Sequence, residues 1–225
     1  MSYSFRIYDA YGPFDDLPGV SDFEARYGLR LRFSGNTAYS IKGCNGSGKD
    51  GLINTIMSYE PNLQYIASGN YILATIFPSY NIVAVGKYSP TTKNGGGDTI
   101  RHPTEELPAL FQFISETVPD YSVLMTGAML STYDKPAICM MESFPSKKTI
   151  HGFMSTTYET CLDRLKLRSG KEKEYSSVLS KFRYISGVSA RYETQGWVVE
   201  HIHTNSYEEM LQCYIDIETK YKDPQ

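Results

Sequence analysis

From residue 37 onward, short half-apolar runs alternate with longer segments in which apolar side chains recur every three or four positions. The short runs predict strands at 38–42, 81–87, 121–126, 149–155 and 196–203. The longer segments predict helices at 49–58, 105–117, 158–171, 175–186 and 207–220. Two helices carry start signals of the capping-box form, Thr156 with Glu159 and Ser206 with Glu209, in which side chains and backbone amides satisfy one another. Leu162 and Leu165 in the first, and Leu211, Tyr214 and Ile215 in the second, supply the buried stripes. Such alternation predicts an α/β fold with a mostly parallel sheet covered by helices on both faces. Ligands in these folds bind beyond the carboxyl ends of the strands.

Residues 1–35 read differently, with "GPFDDLPG", "SGN" and the alternating piece "LRLRF" at 29–33. They predict an N-terminal extension holding a short strand or hairpin, ahead of a main domain at 36–225. A chain of 225 residues is sized for one α/β domain with small additions. The formal net charge of −3 supplies no global basic field, so any nucleic-acid contact must use a local patch, for which the Lys/Arg enrichment between Arg164 and Arg191 is a candidate. The 19 tyrosines serve either packing or base stacking. Cys44, Cys139, Cys161 and Cys213 lack C-x-x-C spacing and read as reduced thiols. With no signal-peptide core and no apolar run of bilayer length, the expectation is a cytoplasmic protein without a membrane partner.

The chemistry concentrates at Gly43-Cys44-Asn45-Gly46-Ser47-Gly48-Lys49-Asp50, which satisfies G-x-x-x-x-G-K between a predicted strand and a predicted helix. The glycines let successive backbone N–H groups converge on phosphate oxygens, and Lys49 reaches the β- and γ-phosphates. Lys49 is expected to face solvent until phosphate arrives. Asp50 stands where such loops carry Ser or Thr, and its carboxylate is suited to magnesium, directly or through water. G-K-D is similar to the loop of bacteriophage deoxynucleoside monophosphate kinases, which usually place Thr next, whereas Gly51 follows here.

A strand ending in G-K-Y, the G-G-x-D turn within "VAVGKYSPTTKNGGGDTI", and then "YSVLMTGAMLS" together resemble a group of bacteriophage P-loop kinases related to thymidylate kinases. That group includes the 5-hydroxymethyldeoxyuridine DNA kinases. "GFMSTTYETCLDRLKLRSGK" is similar to their strand, helix and arginine-bearing lid, and "SSVLSKFRYI" to the helix after it. The resemblance spans about residues 38–217. It implies a nucleotide-kinase-like P-loop NTPase, a three-layer sandwich with a helical lid, using ATP and magnesium. The implied acceptor is the hydroxymethyl group of 5-hydroxymethyldeoxyuridine in phage DNA. A free deoxynucleoside monophosphate as acceptor, or nucleotide binding without turnover, are the alternatives.

By the resemblance, Asp98 is the acceptor-side residue, either general base or orienter of the attacking hydroxyl. Read alone, 95–98 form a Gly-rich turn. Lys87 is either a substrate-phosphate contact or a solvated lysine. Arg164 and Arg168 share one helix face and either clamp transferring phosphates or form a charged surface. Lys171 and Lys173 read as surface lysines. Where relatives tend to carry an acidic residue after the third strand, this chain has Thr126-Gly127, so Asp50 is expected to take over part of that charge's work. His201 and His203 would share a strand face but lack a third ligand at suitable spacing. "FMSTT" resembles the S-T-S strand of ADP-ribosyltransferases without the E-x-E partner, and Thr156 is already taken as a helix cap. Tyr65, Tyr71, Tyr80 and Tyr88 are candidates for base stacking.

Overall fold

The computed structural model describes residues 3–10, 17–89, 95–128, 130–170 and 176–222. Among them, eight strands form one sheet: β1 (Phe5–Asp9), β2 (Thr37–Lys42), β3 (Gln64–Ser68), β4 (Tyr71–Phe77), β5 (Ile82–Val85), β6 (Ser122–Met125), β7 (Lys148–Met154) and β8 (Val199–Ile202). Their spatial order is β1-β3-β4-β5-β6-β2-β7-β8. The pairs β5·β6, β6·β2, β2·β7 and β7·β8 are parallel, and β1·β3, β3·β4 and β4·β5 are antiparallel. The expected mostly parallel α/β architecture is present, with its antiparallel strands gathered at one edge.

Side-chain alternation on β2 explains the layering. All six of its residues are buried, as a central parallel strand requires. Tyr39 and Ile41 join the core beneath α1 (Val20–Tyr27), α2 (Gly51–Met57) and α7 (Tyr207–Tyr221), with Phe23, Ile53 and Tyr214 as neighbours. Ala38 faces the opposite layer, where α3 (Pro103–Thr117) and α4 (Lys135–Ser143) contribute Leu110, Phe111 and Met140. A third cluster joins β7 to α5 (Tyr158–Ser169) and α6 (Ser176–Thr194) through Phe153, Cys161, Leu165 and Val188. The result is helix, sheet and helix in three layers.

The N-terminal part enters these layers. β1 pairs antiparallel with β3 over five residues, so a short strand is present, but it lies on the main sheet. Leu31 and Phe33 are core residues although 29–33 is not a strand. Arg30 and Arg32 point outward while the segment's Phe33 N–H donates to the Tyr80 carbonyl. Alternation there records one buried side and one wet side without a ladder partner. The capping box expected at Thr156 is shifted by one residue. Thr157 caps α5 by accepting from the Thr160 N–H, and Thr156 instead donates to the Ser47 carbonyl. Ser206 caps α7 as expected, accepting from the Glu209 N–H.

Lys42, the last residue of β2, is 1% exposed. Its ammonium donates to the carbonyls of Leu130 and Tyr133 and lies 5.6 Å from the Tyr192 ring centroid. Burial lowers its pKa to about 8 against the pull of the Asp134 charge, and Arg191 pushes the same way as burial. The folded chain therefore releases this proton at a pH where the unfolded chain still holds it, and stability rises with pH across that window. Between pH 7 and about 9.5 the parent should gain about 2 kcal/mol relative to Lys42→Met. Denaturant melts of both proteins across that range check this, and parallel curves would show that Lys42 keeps its proton when buried as it does in the unfolded chain.

Candidate active site

The loop between β2 and α2 holds the expected phosphate-binding motif. Gly46 and Gly48 sit at φ 84° and 90°, in the left-handed region that a side chain rarely adopts. At Gly46 a Cβ would also lie 2.4 Å from the Cys161 carbonyl oxygen, so the loop is pressed against α5. Thr156 Oγ1 and Arg164 Nη1 both donate to the Ser47 carbonyl, and Arg164 Nη2 donates to the Thr204 carbonyl. The loop is thus tied from below before any ligand arrives.

Lys49 departs from expectation. It is 7% exposed rather than solvent-facing, and its Nζ lies 3.6 Å from Asp50 Oδ2. A buried ammonium needs a partner, and the neighbouring carboxylate supplies one. Asp50 Oδ1 in turn accepts a 2.6 Å hydrogen bond from the Thr126 hydroxyl. Because that hydroxyl has one proton, the 2.8 Å contact between Thr126 Oγ1 and Tyr88 Oη is a donation from Tyr88. Burial, with the Asp50 charge second, holds the Tyr88 phenol well above its ordinary pKa, so it remains a donor. Tyr88, Thr126 and Asp50 form one directed chain.

The Gly-rich segment after β5 is shaped by a backbone crossing. Gly86 has φ 101°, and a Cβ there would fall 2.0 Å from the Gly96 carbonyl oxygen. Lys87 and Gly96 form an antiparallel bridge, and the Gly97 N–H donates to the Thr126 carbonyl. Asp98 is exposed, and one of its carboxylate oxygens accepts from the Ala128 N–H at 3.0 Å. The turn that carries Asp98 is therefore fastened to the residues that follow β6.

These parts face a common cleft of about 980 Å³. Asn45, Gly46, Gly48, Lys49 and Asp50 line one side, Tyr88, Gly95 and Asp98 another, and Arg164 and Arg168 a third. Gly43, Cys44 and Ser47, also expected in the phosphate site, line a smaller cleft of about 260 Å³ behind the loop. Asn45 Oδ1 and Ser47 Oγ are buried without a partner among the described residues. Lys87 is not part of the main cleft's lining among the described residues. Lys171, Lys173 and most of the lid-like "RSGKEKE" lie outside the described residues. Of the candidate stacking tyrosines, Tyr65, Tyr80 and Tyr88 are buried, whereas Tyr71 is 51% exposed with the Arg101 guanidinium 4.0 Å from its ring centroid. Reading the sequence alone missed Tyr88 as a donor to Thr126; its place two residues beyond the Gly86 that follows β5 was the available signal.

The family model described as 5-hmdU DNA kinase matches residues 29–203. A "5-hmdU DNA kinase 1" of Salmonella phage ViI is 31% identical over 156 residues, covering 69% of this chain and 70% of that protein. A "5-hmdU DNA kinase" of Pseudomonas phage M6 is 27% identical over 172 residues, covering 73% of this chain and 89% of its own length. A "5-hmdU DNA kinase" of Bacillus phage SP10 is 27% identical over 156 residues, which are 67% of this chain but 24% of that larger protein. The matched span takes in the phosphate loop, the Asp98 turn, Thr126 and both arginines of α5, and on this footing the chain belongs to the 5-hmdU DNA kinase family.

Proposed function

We propose that this protein transfers the γ-phosphoryl group of ATP to the hydroxymethyl oxygen of 5-hydroxymethyldeoxyuridine in DNA. The observation that carries the reading is the convergence of Lys49, Asp50, Asp98 and Arg168 on one cleft, within a chain that belongs to the 5-hmdU DNA kinase family. The curled loop, with its left-handed glycines and the Lys49 ammonium, is suited to the triphosphate. Asp50, which lines the cleft with one carboxylate oxygen fixed by the buried Thr126 hydroxyl, offers a hard oxygen donor that fits magnesium, which when bound would neutralise charge on the phosphates.

Each residue then has a definite task. The loop amides and Lys49 hold the phosphates. Asp98, fixed by the Ala128 N–H, orients the acceptor hydroxyl and accepts its proton as the new phosphorus–oxygen bond forms. Arg168 meets charge on the transferring group, and Arg164, spent on the Ser47 and Thr204 carbonyls, keeps the loop and α5 in register. A base inside a duplex is out of reach, so the acceptor nucleotide must be extruded or single-stranded, at a cost of a few kcal/mol.

Asp50 and Thr126 exchange the two side chains that such sites usually divide the other way, with the hydroxyl on the loop and the acid on the strand. Because the two touch, each should be replaceable only together with the other. Asp50→Thr and Thr126→Asp are each expected to lower transfer about 100-fold. The double exchange should recover at least about tenfold over the product of the singles, with magnesium dependence restored. Initial rates across a magnesium titration check this, and strictly multiplicative losses would separate the two residues' roles.

The acceptor is tested by labelled ATP with three substrates: DNA containing 5-hydroxymethyluracil, the same DNA with thymine, and free deoxynucleoside monophosphates. Label should enter the first alone, and the rate should fall with added salt as phosphate contacts are screened. Label confined to the monophosphates would move the acceptor to the free nucleotide. Label in none would leave a nucleotide-binding protein without turnover.

A further inference from the structure

One pair of reactive groups is left unused by the proposed transfer. Cys44 is the second residue of the phosphate loop, and its Sγ lies 3.4 Å from the Sγ of Cys161 in the first half of α5. Both thiols are free, and both belong to the cluster between β7 and the α5–α6 layer. Cys161 is fully buried, whereas Cys44, 3% exposed, lines the 260 Å³ cleft behind the loop and so offers a small oxidant a way in.

The geometry points to Cys44 and Cys161 as an oxidisable pair, closed to a disulfide by a hydroperoxide, that locks the phosphate loop to the arginine-bearing helix and stops phosphate transfer. The chemistry balances. The Cys44 thiolate attacks one peroxide oxygen, the O–O bond breaks, and hydroxide leaves, giving a sulfenic acid on Cys44. The Cys161 sulfur then attacks the Cys44 sulfur, and the sulfenic oxygen departs with the Cys161 proton as water. Two thiols and one hydrogen peroxide become one disulfide and two waters.

The surroundings assign the roles. Either sulfur can donate while both are neutral, but once Cys44 ionises the Cys161 S–H is the donor. That hydrogen bond lowers the Cys44 pKa, burial opposes it, and the Lys49 charge adds to the lowering. The Cys161 thiol is pushed up by the same contact and by burial. Cys44 is thus the group that meets oxidant and Cys161 the one that resolves it.

The structural consequence follows from the contact already present. A disulfide needs its sulfurs about 2.05 Å apart, so loop and helix must approach by about 1.4 Å between them. Gly46 already lies against the Cys161 carbonyl, so the loop cannot close on the helix as a rigid unit and must change its own shape for the sulfurs to meet. Displacing phosphate-binding groups by about 1 Å is enough to cost on the order of 100-fold in rate.

The test exposes the full chain to hydrogen peroxide and maps the peptides without reduction. The expected result is a Cys44–Cys161 linkage, loss of two of the four titratable thiols, and a fall in transfer of at least about tenfold that dithiothreitol reverses. In Cys161→Ser, which leaves the loop residue intact, no linkage should form and Cys44 should be trapped by dimedone as the sulfenic acid. Peptides that stay unlinked, or that link through Cys139 or Cys213, would overturn the pairing. A linked protein with undiminished transfer would overturn the lock. The lock rests on the phosphate-loop reading proposed above, whereas the linkage is read by mass and stands or falls independently of the acceptor.

Discussion

The 2.6 Å hydrogen bond from Thr126 to Asp50 is the contact on which the geometry of the cleft turns. It joins the loop after β2 to the residue after β6, and it exists because β2 and β6 are adjacent parallel strands. Their registered carboxyl ends deliver both residues to the same level of the sheet. β5 lies on the other side of β6, again parallel, so Tyr88 and the Asp98 turn arrive at that level too. The strand order β5-β6-β2 therefore brings together residues far apart in the chain, without any one segment having to reach far.

That arrangement also explains the glycines of the segment after β5. The Asp98 turn must lie flat against the Thr126 backbone for the Gly97 N–H to donate to the Thr126 carbonyl and for Asp98 to accept from the Ala128 N–H. A Cβ on Gly97 would stand 2.4 Å from the Thr126 carbonyl oxygen, so the sequence spends side chains to gain proximity. What looks like an unstructured Gly-Gly-Gly-Asp cluster is a fitted surface at its described positions.

Much of this was legible in the residues alone, and the failures have particular causes. The glycine-curled turn between β2 and α2 was visible because its spacing is a local property. All five expected strands and all five expected helices appear, most ends within about two residues, with β8 starting later and α6 ending later than expected. The hairpin of β3 and β4 escaped although its signal was present: the aromatic and β-branched runs "QYIAS" and "YILATIF" flank Gly69-Asn70, with Gly69 at φ 59°. α6 runs eight residues past the expected 186 because Gly187 is tolerated within a helix whose flanking residues pack on β7 and β8. Thr156 and Thr157 are adjacent and both suited to capping. Only the tertiary position of Ser47 and Thr204, which claim the Thr156 hydroxyl, decides between them. Lys49 was misplaced for a related reason, since its ammonium lies beside an Asp50 carboxylate that is itself held by Thr126, a residue far along the chain.

The exchange of Asp and Thr across the β2 and β6 ends has an electrostatic logic. A lysine buried to this degree needs a nearby anion, and Asp50 supplies one. Under the proposed reaction, a triphosphate offers Lys49 a more highly charged partner than one carboxylate. Asp50 would then face the phosphates with its own negative charge uncompensated on one oxygen, since Thr126 satisfies only Oδ1. A cation at that oxygen removes the repulsion, and Tyr88, held as a neutral phenol, keeps the Thr126 proton directed at the carboxylate throughout. Under the proposed reaction, an acid on the loop would pair with the lysine and, once the triphosphate is bound, would favour a cation beside it.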